Sequence, residues 1–169
     1  MFTADAPAEF ADLALAFDPV TRRGDLALTE AGELVIDYTP ATSMMLSAGL
    51  DRRANPDDTL PTGTDFFSAA RGAFGLRRGA LADALDGEGR RTGTRLWLLD
   101  REKQDDGAGS PDQTRARALA YLSEAFAWSE VELAEAAVIT AEWLRPGVLG
   151  WTARVRDVVL RGSVQGGAV

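Results

Sequence analysis

Gly93-Thr94-Arg95-Leu96-Trp97-Leu98-Leu99-Asp100-Arg101-Glu102-Lys103-Gln104 places four consecutive large apolar residues between an arginine and a charged run. Burying each large side chain of such a run contributes roughly 1.5–3 kcal/mol, so the segment belongs inside the fold. Periodicity alone does not separate helix from strand over so short a run. Leu, Trp, Glu, Lys and Gln are unbranched at Cβ and form helices well, which predicts a short buried helical turn with a charged end.

Around this centre the chain is ordinary for a globular protein. Of its 169 residues 46% are hydrophobic and 26% charged, enough to close one core. The expected organisation is a flexible N-terminal arm at 1–11, one domain at 12–160 with a long loop at 55–76, and a small-residue tail at 161–169. The acidic start does not read as a secretory signal, and no apolar run approaches the roughly 20 residues of a membrane span. A soluble protein is expected.

Histidine and cysteine are both absent, which removes imidazole bases, thiolates, disulfides and the usual zinc ligands together. No cofactor or metal is expected, and any catalysis would fall to carboxylates or hydroxyls. The formal charge of −8 opposes binding to nucleic acid or anionic membrane. Lys103 is the one lysine among 18 basic residues. That bias reads either as GC-rich coding or as selection of arginine for bidentate pairing at interfaces.

Upstream, Leu13, Leu15 and Phe17 alternate into Asp18-Pro19, a strand ending in a turn. Arg23-Gly24-Asp25 is predicted as a second turn, and Leu26–Leu28 and Leu34–Ile36 as a small hairpin around Glu30–Glu33. Thr39-Pro40 suits the start of a short helix, with Met44, Met45, Leu46 and Leu50 as its apolar face. Downstream, Ser110-Pro111-Asp112-Gln113 carries a capping box, opening a helix through Trp128 on Ala116, Leu119, Leu122, Ala125 and Phe126. Val138–Leu144 and a return strand, joined at Arg145-Pro146-Gly147, form a hairpin with Leu149, Trp151, Ala153 and Val155 on its buried side; Val158–Leu160 extends it. The fold class is α+β: a small antiparallel sheet, made of the N-terminal strands and the C-terminal hairpin, packed with two or three helices.

Candidate chemistry is sparse. Asp57-Asp58 and Asp105-Asp106 are carboxylate pairs, but they sit among turn formers as solvated loops do. Gly72-Ala73-Phe74-Gly75 lacks the Lys-Ser/Thr of a phosphate loop. The clusters Arg52-Arg53 and Arg77-Arg78 lie in or beside loops, where they either pair with this chain's own carboxylates or contact acidic partner surfaces. Trp97, Trp128, Trp143 and Trp151 are simplest as core.

Several blocks, in order, resemble the baseplate wedge family of Mu-like contractile-tailed phages, the gene product 46 family. They are Leu13-Ala14-Leu15 with Arg23–Leu26, Thr42 through Ala54, Asp57–Pro61, Arg77-Arg78-Gly79 with Asp83, the central stretch, Ala118–Trp128, and Glu142-Trp143 with Gly147–Leu149. The family usually carries two tryptophans where this chain has Ala80 and Leu81, and an insertion here holds Phe66, Phe67 and Phe74. The resemblance implies a non-catalytic structural subunit, similar to the sheath-initiator wedge proteins of T-even phages. It would work in the virion's tail baseplate after assembly in the host cytoplasm. Its implied partners are other baseplate wedge subunits, the tail sheath, and tail tube or hub proteins, with several copies in a six-fold ring; no nucleic acid or membrane partner is implied.

Under that reading the partner-interface candidates are Arg52, Arg53, Arg77 and Arg78, together with Arg154, Val155, Arg156 and Val159 along a hairpin edge left open for strand addition. Two other classes remain: a tail-associated hydrolase using converging carboxylates, and an acidic adaptor outside any virion.

Overall fold

Alternation at Leu149, Trp151, Ala153 and Val155 builds the middle of the fold as expected. All four are buried, and they belong to the central strand of an antiparallel sheet. A computed structural model describes residues 10–18, 20–60, 77–80, 83, 91–99 and 110–165. The sheet is the meander β5 (Val138–Arg145), β6 (Val148–Val155) and β7 (Val158–Gln165), in that spatial order. The Pro146-Gly147 turn is where the sequence places it, with Gly147 at φ +74°, the conformation glycine supplies after a turn proline.

The last strand corrects the sequence reading. Val158–Leu160 begins a full strand through Gln165, pairing Val155 with Val158 and Val148 with Gln165; residues 161–165 are therefore strand where a tail was expected. The small residue Gly162 sits opposite Trp151, and a Cβ there would fall 2.3 Å from the indole. The glycine is thus a seat for the tryptophan ring.

Helices cover the sheet's inner face. In α2 (Pro111–Ala125) the buried positions are Thr114, Ala118, Leu122 and Ala125, a four-, four-, three-residue spacing that keeps them on one stripe. Ala116 is exposed rather than part of that stripe. Ser110 is the N-cap, but through its backbone: its carbonyl accepts from the Gln113 and Thr114 amides at 2.9 and 3.1 Å, and no side-chain cap forms. The helix stops at Ala125, three residues before the expected end, and α3 (Trp128–Leu133) follows. In α1 (Ala41–Gly49) the buried residues are Thr42, Met44 and Ser47; Met45, Leu46 and Leu50 lie partly in solvent, so the apolar face is narrower than predicted.

The central stretch folds as a 3-10 helix, Arg95–Leu99, with Leu96 to Leu99 all buried. Three residues per turn put positions i and i+3 on the same side. Leu96 and Leu99 accordingly join the main core with Met44, Leu122, Phe126, Leu149 and Val155, while Trp97 and Leu98 turn to a second cluster with Ala54.

The N-terminal third is a β-ribbon. β1 (Asp12–Leu13) pairs with β4 (Ile36–Asp37), and β2 (Leu15–Asp18) with β3 (Arg23–Leu26). Arg23-Gly24-Asp25 is therefore strand, against expectation; the reversal occurs just before it, where the Asp18 carboxylate accepts from the Val20 amide (2.8 Å) and the Thr21 hydroxyl (2.6 Å). The expected second hairpin forms, with Leu28 bridged to Leu34. Phe10, in the expected flexible arm, stacks on Trp128 at 5.9 Å. The tail beyond Gln165, residues 1–9, and the motifs at 61–76, Asp86–Gly89 and Asp100–Gly109 lie outside the described residues.

Candidate functional site

Three segments far apart in sequence are stitched together around the 3-10 helix. Asp51 and Thr94 form a parallel bridge: the Thr94 amide donates to the Leu50 carbonyl at 2.9 Å, and the Arg52 amide to the Thr94 carbonyl at 3.0 Å. The approach is close enough to need Gly93, whose φ is +97° and whose hypothetical Cβ would lie 2.4 Å from the Leu50 carbonyl oxygen. On the other side, the Ala54 amide donates to the Arg77 carbonyl at 2.8 Å.

Side chains lock this frame. Arg95 opens the 3-10 helix and points its guanidinium between two carboxylates. One terminal nitrogen lies 2.9 Å from both Asp58 oxygens; Nε and the other nitrogen lie 2.9 and 2.8 Å from Glu124 Oε2. The same guanidinium lies over the Tyr121 ring at 4.5 Å. Burial works to lower the Arg95 pKa, but the bonds and charges of Asp58 and Glu124 outweigh it and hold it above its ordinary value. Arg52 reaches Glu124 Oε1 at 3.3 Å and donates to the Arg91 carbonyl at 2.6 Å, so Glu124 on α2 is shared by two arginines. Charge-assisted, partly desolvated pairs of this kind are the strong ones.

Trp97 is held in the same cluster. Its indole N–H donates to the Arg52 carbonyl at 2.8 Å, and Arg78 lies over its ring at 4.5 Å. Arg78 also pairs with Asp51 at 2.6 Å, and Arg77 donates to the carbonyls of Asn55 and Pro56. Arg53 donates to the Arg78 carbonyl at 3.4 Å.

The fold thus brings the four loop arginines together, in bonds within the chain. Arg52, with a side chain 18% exposed, and Arg77 stitch segments; Arg78, 46% exposed, stands at the rim. Sequence reasoning grouped these arginines but missed their partners, since Asp58, Arg95, Tyr121 and Glu124 are separated by up to 66 residues. The available signal was that Arg95 precedes a buried run and therefore needs a counter-charge.

Asp58 and Glu124 are the converging carboxylates that a hydrolase would need, but the Arg95 guanidinium fills the space between them. Among the described residues no group of three or more acidic side chains could hold a metal ion, and no helix is long and apolar enough to cross a membrane.

The sheet supplies the other candidate surface. Val155 is fully buried in β6, which is paired on both sides; Arg154 and Val155 therefore do not lie on an open edge, because β7 covers it, and Arg156 sits in the turn between β6 and β7, its amide donating to Glu135 at 3.2 Å. Val159 is on β7, whose outer side pairs with no strand among the described residues. Residues flanking a two-residue hairpin turn form a hydrogen-bonded pair, and such pairs alternate along an antiparallel ladder. With Val155 opposite Val158, the backbone N–H and C=O groups of Val159, Arg161 and Ser163 point outward.

Comparison with known proteins places this geometry in context. The family model described as "Phage protein GP46" matches residues 40–162, which hold the arginine-clamped helix and nearly all of the three-stranded sheet. "Baseplate protein gp46" of Escherichia phage Mu is 36% identical over 128 residues, 75% of each chain. No solved structure matches. With the family model spanning most of its length, the chain belongs to the phage GP46 family.

Proposed function

We propose that the chain is a non-catalytic structural subunit of a phage tail baseplate, and that β7 is the strand by which it starts the sheath. The observation carrying this reading is the outward-facing row of backbone groups at Val159, Arg161 and Ser163 on β7, whose outer side pairs with no strand among the described residues. A strand added there gains main-chain hydrogen bonds with little demand on side chains. The name of the Mu relative supports the baseplate part, and the open edge supports recruitment of an extended arm from the first sheath ring. Arg78, at the rim of the clamp, is the arginine placed to meet an acidic neighbour in the wedge; Arg52, Arg53 and Arg77 support it from within.

The test is complementation of a phage lacking this gene. Val159→Pro removes an outward donor and leaves the β6 ladder intact, so it yields baseplates that recruit no sheath. Val155→Pro breaks the central strand, and the isolated protein fails to fold. Particles without the wild-type chain would refute the baseplate role; fully sheathed tails with Val159→Pro would refute the edge.

A further inference from the structure

The outer face of the three-stranded sheet carries an uneven charge. Because Leu149, Trp151, Ala153 and Val155 turn inward, Gly150, Thr152 and Arg154 lie on the outer side. The register extends that side into rows: Val138, Arg154 and Val159; Thr140, Thr152 and Arg161; Glu142, Gly150 and Ser163. Arg154 and Arg161 are both exposed, and neither forms an ion pair among the described residues. The one carboxylate in these rows, Glu142, stands on the far strand β5. It lines the same depression over Gly150 as Arg161, but the two do not pair. In the turn beside Val158, Arg156 and Asp157 offset each other. On a chain of formal charge −8, the β7 side of this face is therefore basic.

A strand added along Val159, Arg161 and Ser163 sets one residue directly opposite each of them, with paired side chains on the same side of the sheet. The residue opposite Arg161 meets an unpaired cation at cross-strand contact. Two positions along, the residue opposite Val159 looks over that short side chain to Arg154, about 10 Å away at two strand spacings, a gap that an extended arginine and a glutamate close together. The intervening residues of the added strand fall on the inner side, beside Leu160 and Gly162, where Val158, Leu160 and Val164 pack at the margin of the main core.

We infer that the strand recruited by β7 alternates acidic and apolar residues, with Asp or Glu opposite Val159 and Arg161 and an apolar side chain between them, beside Leu160. Like charges directly opposite each other destabilise a strand pair, so a basic strand is turned away. A second copy of this chain is turned away too, because pairing the whole outward row with its antiparallel copy sets Arg161 against Arg161. The overall negative charge does not reverse this choice: screening limits its reach to about 8 Å at physiological salt, while the two arginines act at contact. The inference rests on the proposed strand addition at β7 and specifies its partner.

The experiment has two arms. In complementation of a phage lacking the gene, Arg154→Glu with Arg161→Glu leaves the isolated protein's melting temperature unchanged, both side chains being exposed, and lowers the yield of sheathed tails about tenfold or more; Arg154→Lys with Arg161→Lys keeps it. In solution, the peptide Thr-Glu-Val-Glu-Val-Glu-Thr shifts the amide resonances of Val159, Arg161 and Ser163, and binds about tenfold or more tightly than the same peptide with Lys in place of Glu. Normal sheathing by the Glu pair where Val159→Pro abolishes it, equal binding of the two peptides, or no shift with the Glu peptide would each overturn the acidic partner and leave the edge standing. Full sheath on Val159→Pro would overturn the edge, and this inference with it.

Discussion

Replacing Arg95 by Gln tests whether the guanidinium holds the fold together. Arg95 makes four close contacts of 2.8–2.9 Å with Asp58 and Glu124, from a side chain 14% exposed facing an Asp58 that is 13% exposed. Glutamine leaves Glu124 with Arg52 at 3.3 Å, but strips Asp58 of its cation, leaving the Asn55 amide at 2.6 Å. Breaking a fully buried pair costs about 3–5 kcal/mol and an exposed one about 0–1. With roughly one seventh of each side chain still in solvent, the expected cost is about 2–4 kcal/mol. At about 2–4 °C per kcal/mol for a chain of this size, the melting temperature should fall by about 5–15 °C. Urea unfolding should show a lower midpoint with an unchanged slope. Arg95→Lys, which cannot fork, should fall between. Asp58→Asn combined with Arg95→Gln should cost less than the two singles together, by about 1–3 kcal/mol. A single substitution costing under about 0.5 kcal/mol, or strictly additive singles, would refute the argument.

Trp97→Ala should cost about 3–5 kcal/mol in denaturant titration of the isolated protein, since the indole is 6% exposed and bonded to the Arg52 carbonyl; unchanged stability with lost assembly would make it an interface residue instead. Gly93→Ala should cost roughly 2–5 kcal/mol, because strained backbone and a backbone clash add. Gly150→Ala, whose Cβ meets only the side chain of the exposed Leu144 at 2.7 Å, should cost under about 1 kcal/mol; equal losses for the two glycines would contradict the stitch at Leu50. For Asp37, burial raises the pKa, but the bonds from Thr39 and Thr42 outweigh it and the carboxyl sits below 3.8. A lowered folded-state pKa stabilises above the unfolded value and is lost as pH falls through the folded one. Asp37→Asn should therefore be less stable than wild type at neutral pH, and the difference should shrink as the pH falls through the lowered folded-state value; a carboxyl NMR titration of Asp37 with a midpoint at or above 3.8 would show the opposite.

Where one physical signal dominated, the sequence was sufficient. Strict alternation from Leu149 to Val155 set the inner face of the sheet, though not the strand's central place in it, which comes from β7 running on to Gln165 where a tail was expected. The unbranched run Leu96–Leu99 located the buried turn that joins two clusters. Local turn chemistry misled at Arg23-Gly24-Asp25, because pairing with Leu15–Asp18 overrode the preference of Gly and Asp for turns. It misled again at Gly162, whose role depends on a ring eleven residues away across the sheet. The Ser110 hydroxyl was expected to close a capping box, yet the backbone carbonyl alone takes up that position. The clamp was illegible for a different reason: Arg95 finds Asp58 and Glu124 by tertiary proximity, and no periodicity encodes a partner 37 or 29 residues distant.

The stitch between Leu50–Asp58 and Thr94–Trp97 also governs how this chain can change length. Because Arg77 and Arg78 are tied to the same Leu50–Asp58 segment that Thr94 and Arg95 join, the stitch divides the intervening polypeptide into two closed loops, one before Arg77 and one after Arg78. Closure entropy rises only logarithmically with loop length, about 0.6 kcal/mol for each doubling, well below the several kcal/mol that the clamp's paired charges and Trp97 contribute. Segments bearing new side chains, such as the one containing Phe66, Phe67 and Phe74, can be lengthened or exchanged between these anchors at little thermodynamic cost. The arginine clamp is in this sense a permissive insertion point, a place where tail-particle lineages can vary a surface while inheriting the same frame.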